Sequence, residues 1–88
     1  MDKKTILHIR GYKQDILESI ELFKIILNEL DIFIDNEQQS IDNMSEYPQF
    51  EDKIINMEYL CDKLMNMKDR FEEGISSLQE AFEIVEEI

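Results

Sequence analysis

The chain has 88 residues and a formal net charge of −12, from 9 basic and 21 acidic side chains. A chain this short makes one small domain with a limited core, so its stability rests on regular helix packing or on association. The acidic balance argues against direct binding to nucleic acid, which needs a basic face to neutralise phosphates. Two glycines and one proline are the only breakers among residues dominated by Ile, Leu, Glu, Asp, Lys and Met, which predicts an all-α protein. No apolar run reaches membrane-spanning length, and Met1-Asp2-Lys3-Lys4 leads into no signal-peptide core, so a cytoplasmic protein with no membrane partner is expected.

The first helix is predicted from about Thr5 to Asn43. Thr5 is the expected N-cap, and His8 stands where a capping box would place Glu or Gln. Gly11 weakens the first turns and allows a later start at Tyr12. Three apolar rows at seven-residue spacing run along this helix. Ile9, Ile16, Phe23 and Leu30 form one, Ile20, Leu27, Ile34 and Ile41 the second, and Ile26 with Phe33 the third. That face is wider than the two-row seam of a simple coiled coil.

Between Asp35 and Asp52 the pattern thins into a polar stretch. Tyr47 precedes Pro48 and is pushed out of the helical region, while Pro48 suits the first turn of a new helix. The turn is therefore placed at about 44–48 and the second helix at about 48–87. Phe50, Met57, Leu64, Phe71, Leu78 and Val85 are seven apart and all apolar. Ile54, Cys61, Lys68, Ile75 and Phe82 form the partner row, with Lys68 the one exception. Two such rows interleaved at spacings of three and four are a heptad seam, the mark of a long helix with a partner.

The distribution of charge makes the first partner the chain's own N-terminal half. Residues 1–13 carry +3, residues 14–52 carry −10, residues 53–70 carry +1 and residues 71–88 carry −6. An antiparallel fold at residue 46 lays the basic start of the chain beside its acidic end. The expected core sets Ile16, Phe23, Leu30 and Phe33 against Leu64, Phe71, Leu78 and Phe82. Two helices cannot cover everything offered, because Leu22, Ile25 and Ile32 lie outside the main stripe. The second helix adds a further row of Leu60, Met67, Gly74, Ala81 and Ile88. The predicted fold is thus all-α, a long antiparallel helical hairpin that completes a four-helix bundle by dimerisation or with a related partner. A break near Gly11 or Asp35 would instead give a three- or four-helix monomer. The candidate partner interface is Leu22, Ile25, Ile32, Leu60 and Met67.

Chemistry-bearing residues are sparse. His8 is the sole histidine and Cys61 the sole cysteine, so neither a multi-histidine metal site nor an internal disulfide is available. Glu18 and Glu21 form an E-x-x-E that resembles half the magnesium cage of the all-helical nucleotide pyrophosphatases. The chain contains no E-x-x-D to complete it. No catalytic residue, cofactor or metal is therefore predicted, and the chain is not expected to be an enzyme. In size and expected hairpin it is similar to the WXG-type secreted proteins of Gram-positive bacteria. Its turn reads Ser45-Glu46-Tyr47-Pro48-Gln49, without their Trp-x-Gly, and its Tyr47-x-x-x-Glu51 sits at the turn rather than after the second helix. The function expected is a non-enzymatic protein-binding module acting through homo- or hetero-oligomeric bundle formation, of the adaptor, chaperone or secretion-partner type. The alternative is an acidic inhibitor that imitates nucleic acid, as some phage-encoded anti-defence proteins do.

Overall fold

The start of the chain is fixed by a carboxylate. Asp2 is extended, and its Oδ1 accepts a hydrogen bond from the Thr5 amide at 2.8 Å, one of the amides a helix leaves unpaired at its N-terminus. That bond holds the Asp2 carboxyl below its ordinary value of 3.8. The cap is therefore Asp2 and not Thr5. Aspartate adds a negative charge at the positive end of the helix dipole, which threonine cannot. In the computed structural model, which describes all 88 residues, helix α1 then spans Lys3–Arg10 and α2 spans Tyr12–Met44. Gly11 between them is itself right-handed helical, and its amide donates to the Leu7 and His8 carbonyls. The two segments form one arm of 42 residues.

The arm ends where its own residues stop it. Ser45 Oγ donates to the Asp42 carbonyl at 2.8 Å, diverting a last-turn acceptor to a side chain. Tyr47 is extended, with φ −112° and ψ 108°, as the residue before a proline must be. Pro48 opens a short 3₁₀ turn, Pro48–Phe50, and α3 follows over Glu51–Glu86 with Glu51 and Asp52 in its first turn. The second arm of 39 residues packs antiparallel on the first. The hairpin measures 69 × 15 × 14 Å. Its radius of gyration of 20.1 Å compares with roughly 12 Å for a compact chain of this length.

One seam holds the arms together. Ile20, Leu30, Ile34, Cys61 and Val85 are the only buried residues, and none of them is completely shut off from solvent. The two rows read from α3 line this seam, from Phe50 to Val85, each of them half-buried or buried. Lys68, the exception in its row, meets Asp31 across the seam at 2.6 Å. Phe23 and Phe71 pack edge to face, their ring centroids 5.1 Å apart. Phe33 is not in the core, as its pattern suggested; it is 52% exposed. A single partner helix covers two rows of a heptad and not a third, and Phe33 belongs to the third.

The opposed ends meet without a side-chain ion pair. Arg10 Nη2 donates to the main-chain carbonyl of Ile88 at 2.9 Å, and the Lys13 ammonium lies 5.9 Å from the centre of the Phe82 ring. The two ion pairs of the structure are Lys68–Asp31 and the exposed Arg70–Glu73. Holding long exposed side chains in fixed pairs gains little over leaving them solvated.

Gly74 sits where the Phe23 ring crosses α3. A Cβ built there lies 2.8 Å from Phe23 Cε2, inside contact distance, and the ring is already braced by Phe71. Gly74→Ala is therefore expected to destabilise the hairpin by about 1 kcal/mol, an overpacking cost of about 2 kcal/mol outweighing a helix-propensity gain of about 1 kcal/mol. Phe23→Leu should remove that penalty, so denaturant melts of the two single variants and the double variant should be strongly non-additive. Simple additivity would show that the glycine does not serve the ring.

Candidate protein-binding face

Cross-hairpin contacts fix which residues stand level with one another. Asp31 is opposite Lys68, Phe23 is near Phe71 and Gly74, and Lys13 is near Phe82. In an antiparallel pair, equivalent flanks of the two heptads lie on the same side of the seam. The hairpin therefore has two unlike faces.

One face carries the flank of Leu17, Lys24, Asp31 and Gln38 on α2 with Glu58, Met65, Glu72, Gln79 and Glu86 on α3. These residues line three shallow grooves together, and the groove walls hold ten carboxylates but only two amines, Lys24 and Lys68. The other face carries the residues just before each seam position. On α2 these are Tyr12, Ser19, Ile26, Phe33 and Ser40; on the opposing strand of the hairpin they are Lys53, Leu60, Met67, Gly74 and Ala81. No carboxylate occurs in either row. With the levels set by Asp31–Lys68, Phe33 falls between Leu60 and Met67, and Ile26 between Met67 and Gly74.

The five residues picked out from the sequence are all solvent-facing, each between 46% and 57% exposed. Their positions differ. Leu60 and Met67 lie on the carboxylate-free face, and Leu22 borders it one heptad position further round. Ile25 and Ile32 lie on the outer edge of α2, diametrically away from α3. The structure thus places Leu22, Leu60 and Met67 on one side of the hairpin, Leu22 towards the level after Gly74, and sets Ile25 and Ile32 apart as an extension around the helix. Phe33 and Ile26 complete the patch. Phe33 precedes Ile34 as Leu60 precedes Cys61, so the signal that it shares a row with Leu60 was present in the spacing once the arms were known to be antiparallel.

The titratable groups of the seam are quiet. Burial pushes the Cys61 thiol up, and the charges of Glu37, Asp62 and Glu58 push it further. A thiol kept protonated is a packing group and a poor nucleophile. The Asp31 hydrogen bond and charge raise the Lys68 amine, which stays an ammonium. No three His, Cys, Asp or Glu side chains are arranged to hold a metal ion, and no helix is long and apolar enough to cross a membrane. Comparison with protein-family models, curated proteins and solved structures finds no match to this chain.

A raised thiol has a pH consequence with a definite sign. The fold favours neutral Cys61, so its contribution is complete below the ordinary thiol value of 9.0 and is lost as pH rises through the higher folded value. The Lys68 contribution has the same sign but persists to beyond 10.5. Urea melts between about pH 8 and about pH 10.5 should show stability falling, and Cys61→Ala should flatten that slope. An unchanged slope in the variant would remove the thiol as the cause.

Proposed function

We propose that this hairpin is a non-enzymatic protein-binding module that acts by completing a helical bundle through its carboxylate-free face. The observation that carries the reading is a run of exposed apolar residues on the one face whose seam-flanking rows hold no carboxylate. Leu22, Phe33, Leu60 and Met67 are each at least 46% exposed, and they share one side with half-buried Ile26, Gly74 and Ala81. Scattered apolar residues on a surface need no explanation, but a contiguous patch of this kind marks an interface. Small residues at Gly74, Ala81, Ser19 and Ser40 flank the patch along the hairpin, so an incoming helix meets no large polar side chain in those rows between Ser19 and Ser40 or between Leu60 and Ala81. The mode is helix against helix, with anchors at heptad spacing.

A second reading is supported by the opposite face. Its grooves gather ten carboxylates against two amines, the surface an imitator of nucleic acid would present to a basic cleft. Binding of that kind weakens steeply as salt rises, whereas burial of an apolar face does not.

Photo-crosslinking residues placed singly at Met67 and at Glu72 separate the two. In cells of the native host, the Met67 position should capture protein and the Glu72 position should not. Phe33→Glu should abolish the Met67 capture without loss of helicity. Capture from Glu72 alone, reversed by salt, would replace the first reading by the second. Absence of capture from both positions would overturn both.

A further inference from the structure

We propose that the occupant of the carboxylate-free face is a second copy of this chain, related by a twofold axis parallel to the hairpin, so that α2 of each copy lies against α3 of the other. The inference rests on the reading of that face as a protein-binding surface. Area motivates self-association. The chain exposes 6770 Å², against roughly 5,500 Å² for a compact folded monomer of 10.6 kDa. The excess of roughly 1,300 Å² exceeds the roughly 800 Å² that each partner buries in a standard specific interface. A standard interface therefore fits within that excess.

Charge selects both the partner and the orientation. Around the apolar patch the bordering heptad rows hold Asp15 and Glu29 on α2, and Lys63 and Arg70 on α3. The level set by Asp31–Lys68 puts Glu29 at the height of Arg70, with Lys63 one heptad along α3. A twofold axis along the hairpin preserves height and exchanges the arms. It sets Glu29 of each copy against Arg70 of the other, with Lys63 two turns along the same row, twice over. A twofold axis across the hairpin would instead set α3 on α3, bringing the two pairs of bases together. Arg70 is at present engaged only with Glu73 on its own helix, exposed to solvent and free to re-pair. The carboxylate-lined grooves remain on the outside of the four-helix bundle, where two copies do not force their charges together. Complementary rim charges choose among orientations that apolar burial alone leaves equal.

The test is a charge exchange read by sedimentation equilibrium and native mass spectrometry. The wild-type chain should be a dimer at about 10 μM, a concentration at which standard interfaces are occupied. Glu29→Lys alone should raise the dissociation constant at least about tenfold, and so should Lys63→Glu with Arg70→Glu, each with helicity unchanged. An equimolar mixture of the two variants should restore the dimer, with one chain of each kind, because every rim contact is then opposite in sign. A wild-type chain that stays monomeric at about 100 μM overturns the second copy as occupant. In that event capture by the Met67 crosslinker leaves the protein-binding reading standing, and failure of capture removes both. A wild-type dimer whose variants do not recover on mixing overturns the orientation.

Discussion

Two helices packed against one another can cover only one stripe on each, and every other property of this molecule follows from that limit. The seam from Phe50 to Val85 meets Ile9 to Ile41 along nearly the whole length of the hairpin, yet only 5 of 88 residues are buried. No third layer stands behind either helix to cover the flanks. A chain with this many Ile, Leu, Phe and Met side chains then has more apolar surface than its own fold can use. The surplus is not spread evenly. Phe33, Leu60 and Met67 stand in the rows beside the seam that carry no carboxylate, while Leu17 and Met65 are interspersed with carboxylates on the other flank.

The charges obey the same geometry. The net −12 looks, in the sequence, like two acidic blocks separated by a mildly basic one. Folded antiparallel, those blocks become a side. Carboxylates from both arms converge on the groove-lined face, while Lys53, Lys63 and Arg70 fall on or beside the apolar one. Like charges gathered on one face keep that face solvated and discourage it from meeting its own copy. The hairpin is thereby left with one carboxylate-free surface on which burial is favourable. Aggregation through several faces at once is opposed by the same residues that keep the protein hydrated.

Much of the architecture was legible in the seven-residue spacing, and the failures have physical causes. The seam of α3 could be read because its two rows are apolar at all but Lys68, and the turn because Tyr47-Pro48 has few alternatives. Phe33 misled because residues 22–34 are apolar nearly all round, so periodicity there does not say which rows a lone partner covers. Thr5 misled because a helix cap is chosen by geometry as well as residue type, and Asp2 was also eligible. The division between Leu60 and Met67 on one face and Ile25 and Ile32 on the outer edge needed the direction of the second helix. Heptad spacing alone assigns residues to rows within a helix and says nothing about which rows of two helices share a side.

Lys68 then acquires a meaning that its row did not suggest. A seam built only of Ile, Leu, Phe and Met tolerates slippage by one heptad, because each apolar residue finds another apolar residue seven places along. Lys68 does not. Its ammonium is satisfied by Asp31 at 2.6 Å, and the positions seven residues to either side of Asp31 are Lys24 and Gln38. Sliding one way sets two ammonium groups together; sliding the other way replaces a carboxylate by a neutral amide. A single polar residue in an apolar seam specifies register at some cost in stability. Here the register has consequences outside the seam. It is the alignment of Asp31 with Lys68 that sets Phe33 between Leu60 and Met67, and that puts Glu29 at the height of Arg70. The ion pair inside the hairpin thus determines the pattern of apolar and charged groups that the outer face presents.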